Sequence, residues 1–529
     1  MLIKSGKNGI SNLIRKIRNF QENKWNNEIK KINSKNKEKV VILGSGWGGM
    51  HFLINIDFKK YDVTLISPRN YFTFTPLLPC LCSGTLSINV CTESVRNFLK
   101  KNGSVGNYLQ LECTDIIYKD NYITCKDNDN NEMKINYDYL IIAVGAKTNS
   151  FNIKGVDKFA FYVKDIDDVL KIRRKFFENL EKSTLPNTTN EEKKNLLHIV
   201  IVGGGPTGVE VAGEFADFVN REVKQNYEDI FNFISISIIE GGKNLLPTFT
   251  QNISDFTKYN FRNLNINVLT NYYVTEVNEN YFYIQSSIDK SDKKKFPYGV
   301  LIWASGLAQT TLVNNLLKKI PQQVNNKILN VDSQLKVIGV ESNNVYAIGD
   351  CKKIFPLQLQ KYTSELIDSL HCSKLTSDTL KSKSEELSEV FPQASKYKWD
   401  YDKNKKGEMN EQEFHEYLCK MDENYKSPAP TAQNAKQEAY YLSNVFNNFL
   451  TRDKKLTVPS FIEKWKGSLA YIGNHQVVAH LPFYEIKGGF LSFTFWKAVY
   501  IQLLMTWKSR ATFFFDCIRT KLYGRPFIK

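Results

Sequence analysis

Ile199-Val200-Ile201-Val202-Gly203-Gly204-Gly205-Pro206-Thr207-Gly208-Val209-Glu210 decides how this chain is read. The β-branched run predicts a buried strand, the glycines a tight turn, and Val211-Ala212-Gly213-Glu214-Phe215 the continuation of a helix. A strand that turns through glycines into a helix N-terminus cradles the pyrophosphate of a dinucleotide, because backbone N–H groups and the helix dipole point at the anion. Nearer the start, Val40-Val41-Ile42-Leu43-Gly44-Ser45-Gly46-Trp47-Gly48-Gly49 repeats the pattern, with Gly44, Gly46 and Gly49 in the G-x-G-x-x-G spacing. One such fingerprint is weak evidence. Two in one chain predict two cofactors exchanging electrons and an α/β fold with two Rossmann-type domains.

The strand after each turn tells the two sites apart. Ile234–Ile239 ends in Glu240, a carboxylate that accepts from both ribose hydroxyls and repels a 2′-phosphate, which favours NAD(H) over NADP(H). Val63-Thr64-Leu65-Ile66 ends instead in Ser67-Pro68-Arg69, so the nucleotide of the first fold stays open. Tyr139–Ala146 and Val300–Gly306 are apolar strands that close on glycine and return the chain to the first and second folds. Asn344–Asp350 is a third, whose terminal Asp350 can hydrogen-bond the ribityl or phosphate part of a flavin. Asn70–Pro79 is aromatic and proline-stiffened, and it predicts a loop lining something flat; Asn179–Asn195 reads as a polar linker or surface loop.

At 529 residues and 42% hydrophobic, the chain is long enough for two or three folded domains. Its net charge of +16 sits at the ends: residues 1–39 contribute +8 and residues 485–529 contribute +6. No nucleic-acid recognition motif accompanies that charge, which fits targeting at one end and an anionic surface at the other. The first 21 residues hold five cations and no acid, with Ile10, Leu13, Ile14 and Ile17 at helical spacing, as in a mitochondrial presequence. Nine cysteines without a CxxC read as reduced intracellular thiols, and six scattered histidines argue against a metal site. Asp402–Glu413 follows the EF-hand pattern, but Lys406 occupies a ligand position, so calcium binding is not expected. The tail from Leu481 alternates aromatic clusters with single cations. Its uncharged runs are too short to span a bilayer and predict helices lying in the membrane interface.

Taken in order, these motifs resemble the type II (alternative, single-subunit) NADH:quinone oxidoreductases of the mitochondrial inner membrane, in an apicomplexan, malaria-parasite-like form. The resemblance runs from about Lys39 to the C-terminus and includes Thr431–Gln437 and Lys466–Gly473. It implies non-covalent FAD at Gly44, Gly46, Gly48, Gly49, Ser67, Arg69, Ala143, Gly145, Gly349 and Asp350, with Thr75 and Pro76 near the isoalloxazine. It implies NADH as substrate at Gly203, Gly204, Gly205, Thr207, Gly208, Glu240, Ala304, Ser305 and Gly306, with Glu210 near the nicotinamide. Gln433 and Gln437 would face ubiquinone, and a peripheral, homodimeric, non-proton-pumping enzyme would dock on anionic lipid through its C-terminal helices. Ser67 departs from the acidic flavin-ribose residue usual in such folds.

The expected domains are a basic segment (1–38), an FAD domain in two parts (39–180 and 311–350) and an inserted NADH domain (181–310). A polar insertion (351–428), the end of the FAD domain with its quinone-site helix (429–480) and the membrane anchor (481–529) follow. Three other readings compete. A soluble disulfide reductase or a sulfide:quinone oxidoreductase needs placed cysteines, for which Cys80 and Cys82 are the only close pair; the third is an EF-hand calcium-responsive interaction protein.

Overall fold

The structure, a computed structural model, describes residues 37–101, 106–370, 375–376, 387–396, 408–450 and 458–527. The presequence reading and positions 402–407 of the EF-hand-like loop lie outside the described residues. Two compact units form, one from the chain up to Phe72, Ser94–Ala146 and Gln309–Lys464, the other from Thr73–Glu93, Lys147–Ala308 and Trp465–Lys529.

In the first unit five parallel strands lie in the order Val345–Ala347, Tyr139–Ile142, Glu38–Leu43, Tyr61–Ile66, Asn107–Leu109. Val40 pairs with Val63 on one side and Tyr139 on the other, so Gly44 emerges from the central strand. Val40 to Leu43 are at most 2% exposed, as expected for a parallel strand covered on both faces. The helix Trp47–Asn55 follows the turn and packs on the helix Ala432–Asn448, where Phe52 meets Phe446 edge-on at 5.3 Å. Glu112–Ile117, Tyr122–Lys126 and Glu132–Asn136 make an antiparallel meander beside this sheet in sequence.

The second unit repeats the plan: Phe161–Tyr162, Val300–Trp303, His198–Val202, Ser235–Glu240 and Ile266–Thr270 form a parallel sheet in that order. A meander of Tyr272–Val277, Tyr281–Ser286 and Lys293–Pro297 follows. A second antiparallel sheet (Ser468–Tyr471, Val477–His480, Glu485–Lys487) leads into the helices Phe490–Leu503 and Trp507–Tyr523. Among the described residues no helix is long and apolar enough to cross a membrane.

The middle segment of the second unit runs from Lys147 to Ala308, and within it Phe161 and Tyr162 pair with Ile302 and Trp303 at the edge of the parallel sheet. Its last segment runs from Trp465, and the strand Ser468–Tyr471 packs on the Pro206–Phe218 helix. A Cβ on Gly213 would lie 2.6 Å from the Gly473 nitrogen. The stretch Asn179–Asn195 is no linker: it ends the helix Ile166–Ser183 and starts Asn190–Leu196, each opened by a capping box, Asp165 with Asp168 and Thr189 with Glu192. Asn70–Pro79 is not a loop throughout, since Tyr71–Thr73 is a strand, Thr75–Leu77 a 3-10 turn and Leu78–Ser83 a helix.

Candidate functional site: two glycine turns and their strand ends

Gly203 ends its strand with φ +114°, and a Cβ there would sit 2.6 Å from the Ala304 carbonyl oxygen. A Cβ on Gly205 would meet nothing within 4 Å, leaving its backbone open to a phosphate, while one on Gly208 would sit 1.9 Å from the Gly203 oxygen. Each glycine therefore does a separate job: turn, open backbone, close packing of helix on strand. Gly205 caps the helix Pro206–Phe218, with Pro206 in the first turn where its missing N–H costs nothing. Half-buried Thr207 follows in that turn.

The first turn is built alike. Gly44 has φ +104° and a Cβ there would lie 2.5 Å from the Ala143 oxygen; Gly46 is open; a Cβ on Gly49 would lie 1.9 Å from the Gly44 oxygen. Gly48 packs against Ile348, its added Cβ 3.0 Å from the Ile348 Cγ1. The supporting bonds also correspond. Gly44 N–H donates to Ile66 O and Gly203 N–H to Ile239 O, both at 2.8 Å, while Ala143 N–H donates to Leu43 O at 2.9 Å and Ala304 N–H to Val202 O at 2.8 Å.

That correspondence places Ser67 and Glu240 at equivalent strand ends, where the chemistry diverges. Glu240 is half-buried, and its two oxygens accept from Gly204 N–H and Gly242 N–H, each at 2.7 Å. The carboxylate is thus fixed at the mouth of the turn by backbone donors on both oxygens. In the first turn Ser45 stands where Gly204 does, and its hydroxyl lies 3.0 Å from that of Ser67. Ser45 Oγ also reaches the carbonyls of Arg69 (3.2 Å) and Tyr71 (3.0 Å), and Arg69 N–H donates to Ser67 Oγ at 3.3 Å. A neutral, buried hydroxyl pair replaces the anion; Arg69 itself is exposed.

Around the first turn, Gly145 (φ +64°) is open, as a Cβ there would meet nothing within 4 Å. Gly349 (φ +78°) starts the 3-10 turn that carries half-buried Asp350. Gly349 N–H donates to Glu438 Oε2 at 2.7 Å, and Glu438 Oε1 pairs with Lys352 Nζ at 2.6 Å, both side chains 2% exposed. The resemblance did not point to this buried pair.

Gln433 and Gln437 lie one turn apart on the helix Ala432–Asn448, whose N-cap Thr431 accepts from Asn434 N–H at 3.2 Å. Gln437 is clasped to the Lys464 backbone through both amide atoms, at 2.9 and 3.1 Å. Thr75 and Pro76 are half-buried, whereas Phe72 and Phe74 are 1% exposed. Of the aromatic side chains expected to line a flat ligand, Phe72 and Phe74 are core instead, while Tyr71, like Thr75 and Pro76, is half-buried. Ala304, Ser305 and Gly306 form the rim opposite Gly203, held by Trp303 Nε1 donating to Asn149 O at 2.9 Å and Ser305 O at 3.2 Å.

In the second unit Glu210, Glu214 and Asp217 are each 7% exposed or less. Glu210 accepts Tyr471 N–H at 3.3 Å, and burial, with Glu214 adding repulsion, pushes its carboxyl up to about 8. Burial likewise raises Asp217 to about 6, against the bonds it accepts from the Tyr471 hydroxyl and Asn474 N–H. Sequence reasoning missed Glu214, Asp217 and their partners. Three acids at helical spacing among Val209, Val211, Ala212, Phe215 and Phe218 carried the signal.

Cys80 and Cys82 lie in the helix Leu78–Ser83 with both thiols buried, and burial first, then Glu214, drives each far from ionising. Reactive-cysteine chemistry requires the opposite environment. Glu413, the twelfth EF-hand position, accepts Asn410 N–H at 2.9 Å in a capping box that opens the helix Glu411–Asn424. Among the described residues no cluster of His, Cys, Asp or Glu suits a metal.

Two pyridine-nucleotide-type folds arranged in this way define an oxidoreductase class, and the family model for pyridine nucleotide-disulphide oxidoreductases matches residues 38–371. The "PfNDH2 helical insertion domain" matches residues 361–425 and the "NDH2 C-terminal domain" residues 465–526. The solved structure of NDH2 from Plasmodium falciparum in complex with NADH is 72% identical, with a TM-score of 0.91, covering 93% of this chain and 100% of that one. An external alternative NAD(P)H-ubiquinone oxidoreductase B1 of Solanum tuberosum mitochondria is 32% identical over 92% of this chain and 90% of its own. A Yarrowia lipolytica external alternative NADH-ubiquinone oxidoreductase is 30% identical over 92% and 80%. The chain belongs to the type II NADH dehydrogenase (NDH2) family.

Proposed function

We propose that this protein is a membrane-bound, non-proton-pumping NADH:ubiquinone oxidoreductase with a resident, non-covalent FAD. The observation that carries the reading is the inequivalence of two otherwise matched turns. Glu240, preset by Gly204 and Gly242, recognises an unphosphorylated ribose of NADH, while the Ser45–Ser67 pair leaves the first turn without that selective anion. The open backbones at Gly46 and Gly145 and the Gly349–Asp350 turn fit a flavin dinucleotide. When bound, the flavin accepts a hydride from NADH and delivers two electrons to quinone.

This chain's residues supply position and electrostatics. Gly44, Gly46, Gly48 and Gly49 hold the flavin pyrophosphate, Asp350 binds the ribityl side, and Thr75 and Pro76 border the isoalloxazine. Gly203, Gly205 and Gly208 hold the pyrophosphate of NADH, with Glu210 beside the nicotinamide. Gln433 presents an amide to ubiquinone, and Gln437, engaged with Lys464, shapes the rim.

The C-terminal helices dock on the anionic surface of the mitochondrial inner membrane and contribute to a homodimer. Supporting this, Leu491, Trp507, Phe515, Leu522 and Tyr523 are 66–83% exposed, while Lys497 and Arg510 lie over aromatic rings at 4.3 and 5.1 Å. Such apolar exposure with interleaved cations suits a lipid interface. A steady-state assay with NADH and a short-chain ubiquinone tests the reading. Turnover must be saturable in both substrates and be lost in Gly208→Ala; NADH oxidation that proceeds equally without quinone would overturn it.

A further inference from the structure

The helix Pro206–Phe218 stacks Glu210 and Glu214 one turn apart on a buried face. Two adjacent carboxylates away from water cannot both stay ionised, since their repulsion is poorly screened and neither is hydrated. The donors around the two differ. Glu214 Oε2 accepts from Ser83 Oγ and Thr85 Oγ1, both at 2.6 Å, and lies 3.5 Å from an Arg525 nitrogen whose side chain is 4% exposed. Arg525 also pairs with Glu222 at 2.8 Å, which fixes the guanidinium. Among the described residues Glu210 receives a single backbone N–H, from Tyr471. The other groups facing Glu210 are the Tyr500 hydroxyl and the Cys80 thiol, both of which burial keeps protonated, and the Tyr471 hydroxyl is turned to Asp217.

We propose that Glu214 is a positioning residue for the reaction of NADH: held in place by Ser83, Thr85 and Arg525, its carboxylate adds to burial in keeping Glu210 in its neutral acid form, so that NAD+ leaves without an opposing charge. The inference rests on the reading that places the nicotinamide beside Glu210. When the C4–H bond breaks and the hydride departs with its electron pair, the ring is left a pyridinium cation. A carboxylate at Glu210 would hold that cation by charge; a neutral carboxyl does not. The positive end of the pair, Arg525, comes from the last residues of the chain and faces Glu214 rather than Glu210.

The test is the affinity of the purified full-length holoprotein for NAD+, measured by equilibrium titration from about pH 6 to about pH 9.5, where a one-unit pKa change corresponds to about tenfold in affinity. Wild type is expected to bind NAD+ with constant affinity up to about pH 8 and more tightly above it. Glu214→Gln removes the repelling carboxylate, which lowers the Glu210 pKa and moves the onset to lower pH, so that NAD+ binds more tightly near neutrality than it does to wild type. Ser83→Ala, a milder change, shifts the onset the same way by less. A flat wild-type profile, or an onset that neither Glu214→Gln nor Ser83→Ala moves, overturns the inference. If instead wild type shows the onset and Glu210→Gln retains it, the placement of the nicotinamide beside Glu210 is the part that fails.

Discussion

Glu240 and Ser67 occupy one position in two copies of the same fold, and the cofactor assignment turns on that difference. Ionised hydrogen-bond acceptors contribute about 1.5–3 kcal/mol, so Glu240→Gln should raise the KM for NADH by about 10- to 100-fold and narrow the preference over NADPH. Unchanged KM values for both nucleotides would show that Glu240 does not touch the ribose. The third glycines give a sharper contrast, because in each a Cβ would sit 1.9 Å from a backbone oxygen that cannot move without breaking the turn. Gly49→Ala should purify without flavin. Gly208→Ala should purify yellow and fail to be bleached by NADH. Flavin absorbance after gel filtration separates the two, and flavin lost equally from both would contradict separate sites.

At the scale of elements, the helix Ala432–Asn448 is tied to the Gly349–Cys351 turn by Glu438, with Lys352 neutralising it. Removing one partner of a buried ion pair leaves an uncompensated charge, so Lys352→Met should cost about 3–5 kcal/mol in urea unfolding. Lys352→Met with Glu438→Leu should recover part of that loss; a double variant less stable than the single would show that the pair is not the cause. This clamp was not legible in the sequence, because nothing local says that a lysine near residue 352 meets an acid near 438. The glycine turns were legible because their steric demands are local: strand, turn and helix are contiguous. The Asn70–Pro79 aromatics misled for a related reason. Proline and aromatic content flags a stiff loop, but long-range packing decides whether rings line a site or fill the core. The capping boxes at Asp165 and Thr189 were local signals that composition alone concealed under polarity.

At the scale of the molecule, charge and apolar exposure gather at the C-terminal helices, yet their last residues turn back into the protein. Arg525 is 5% exposed and Phe527 packs on Phe218 at 5.5 Å. Truncating the tail would therefore open the second unit, and point changes on the outer face are the better probe. Trp507→Ser with Phe515→Ser should reduce pelleting with anionic vesicles by about tenfold or more, since each buried aromatic contributes about 1.5–3 kcal/mol. Oxidation of NADH by a soluble acceptor should persist, and undiminished pelleting would assign the membrane contact to another surface.

One turn that keeps a flavin and another that admits NADH which comes and goes must differ in how they respond to added nucleotide. Anaerobic stopped-flow mixing of the purified protein with NADH or NADPH reads that difference directly. The expected result is bound flavin that NADH bleaches with half-saturation at a concentration at least about tenfold below that of NADPH. Flavin bleached faster by NADPH, or a protein that carries no flavin at all, would contradict it.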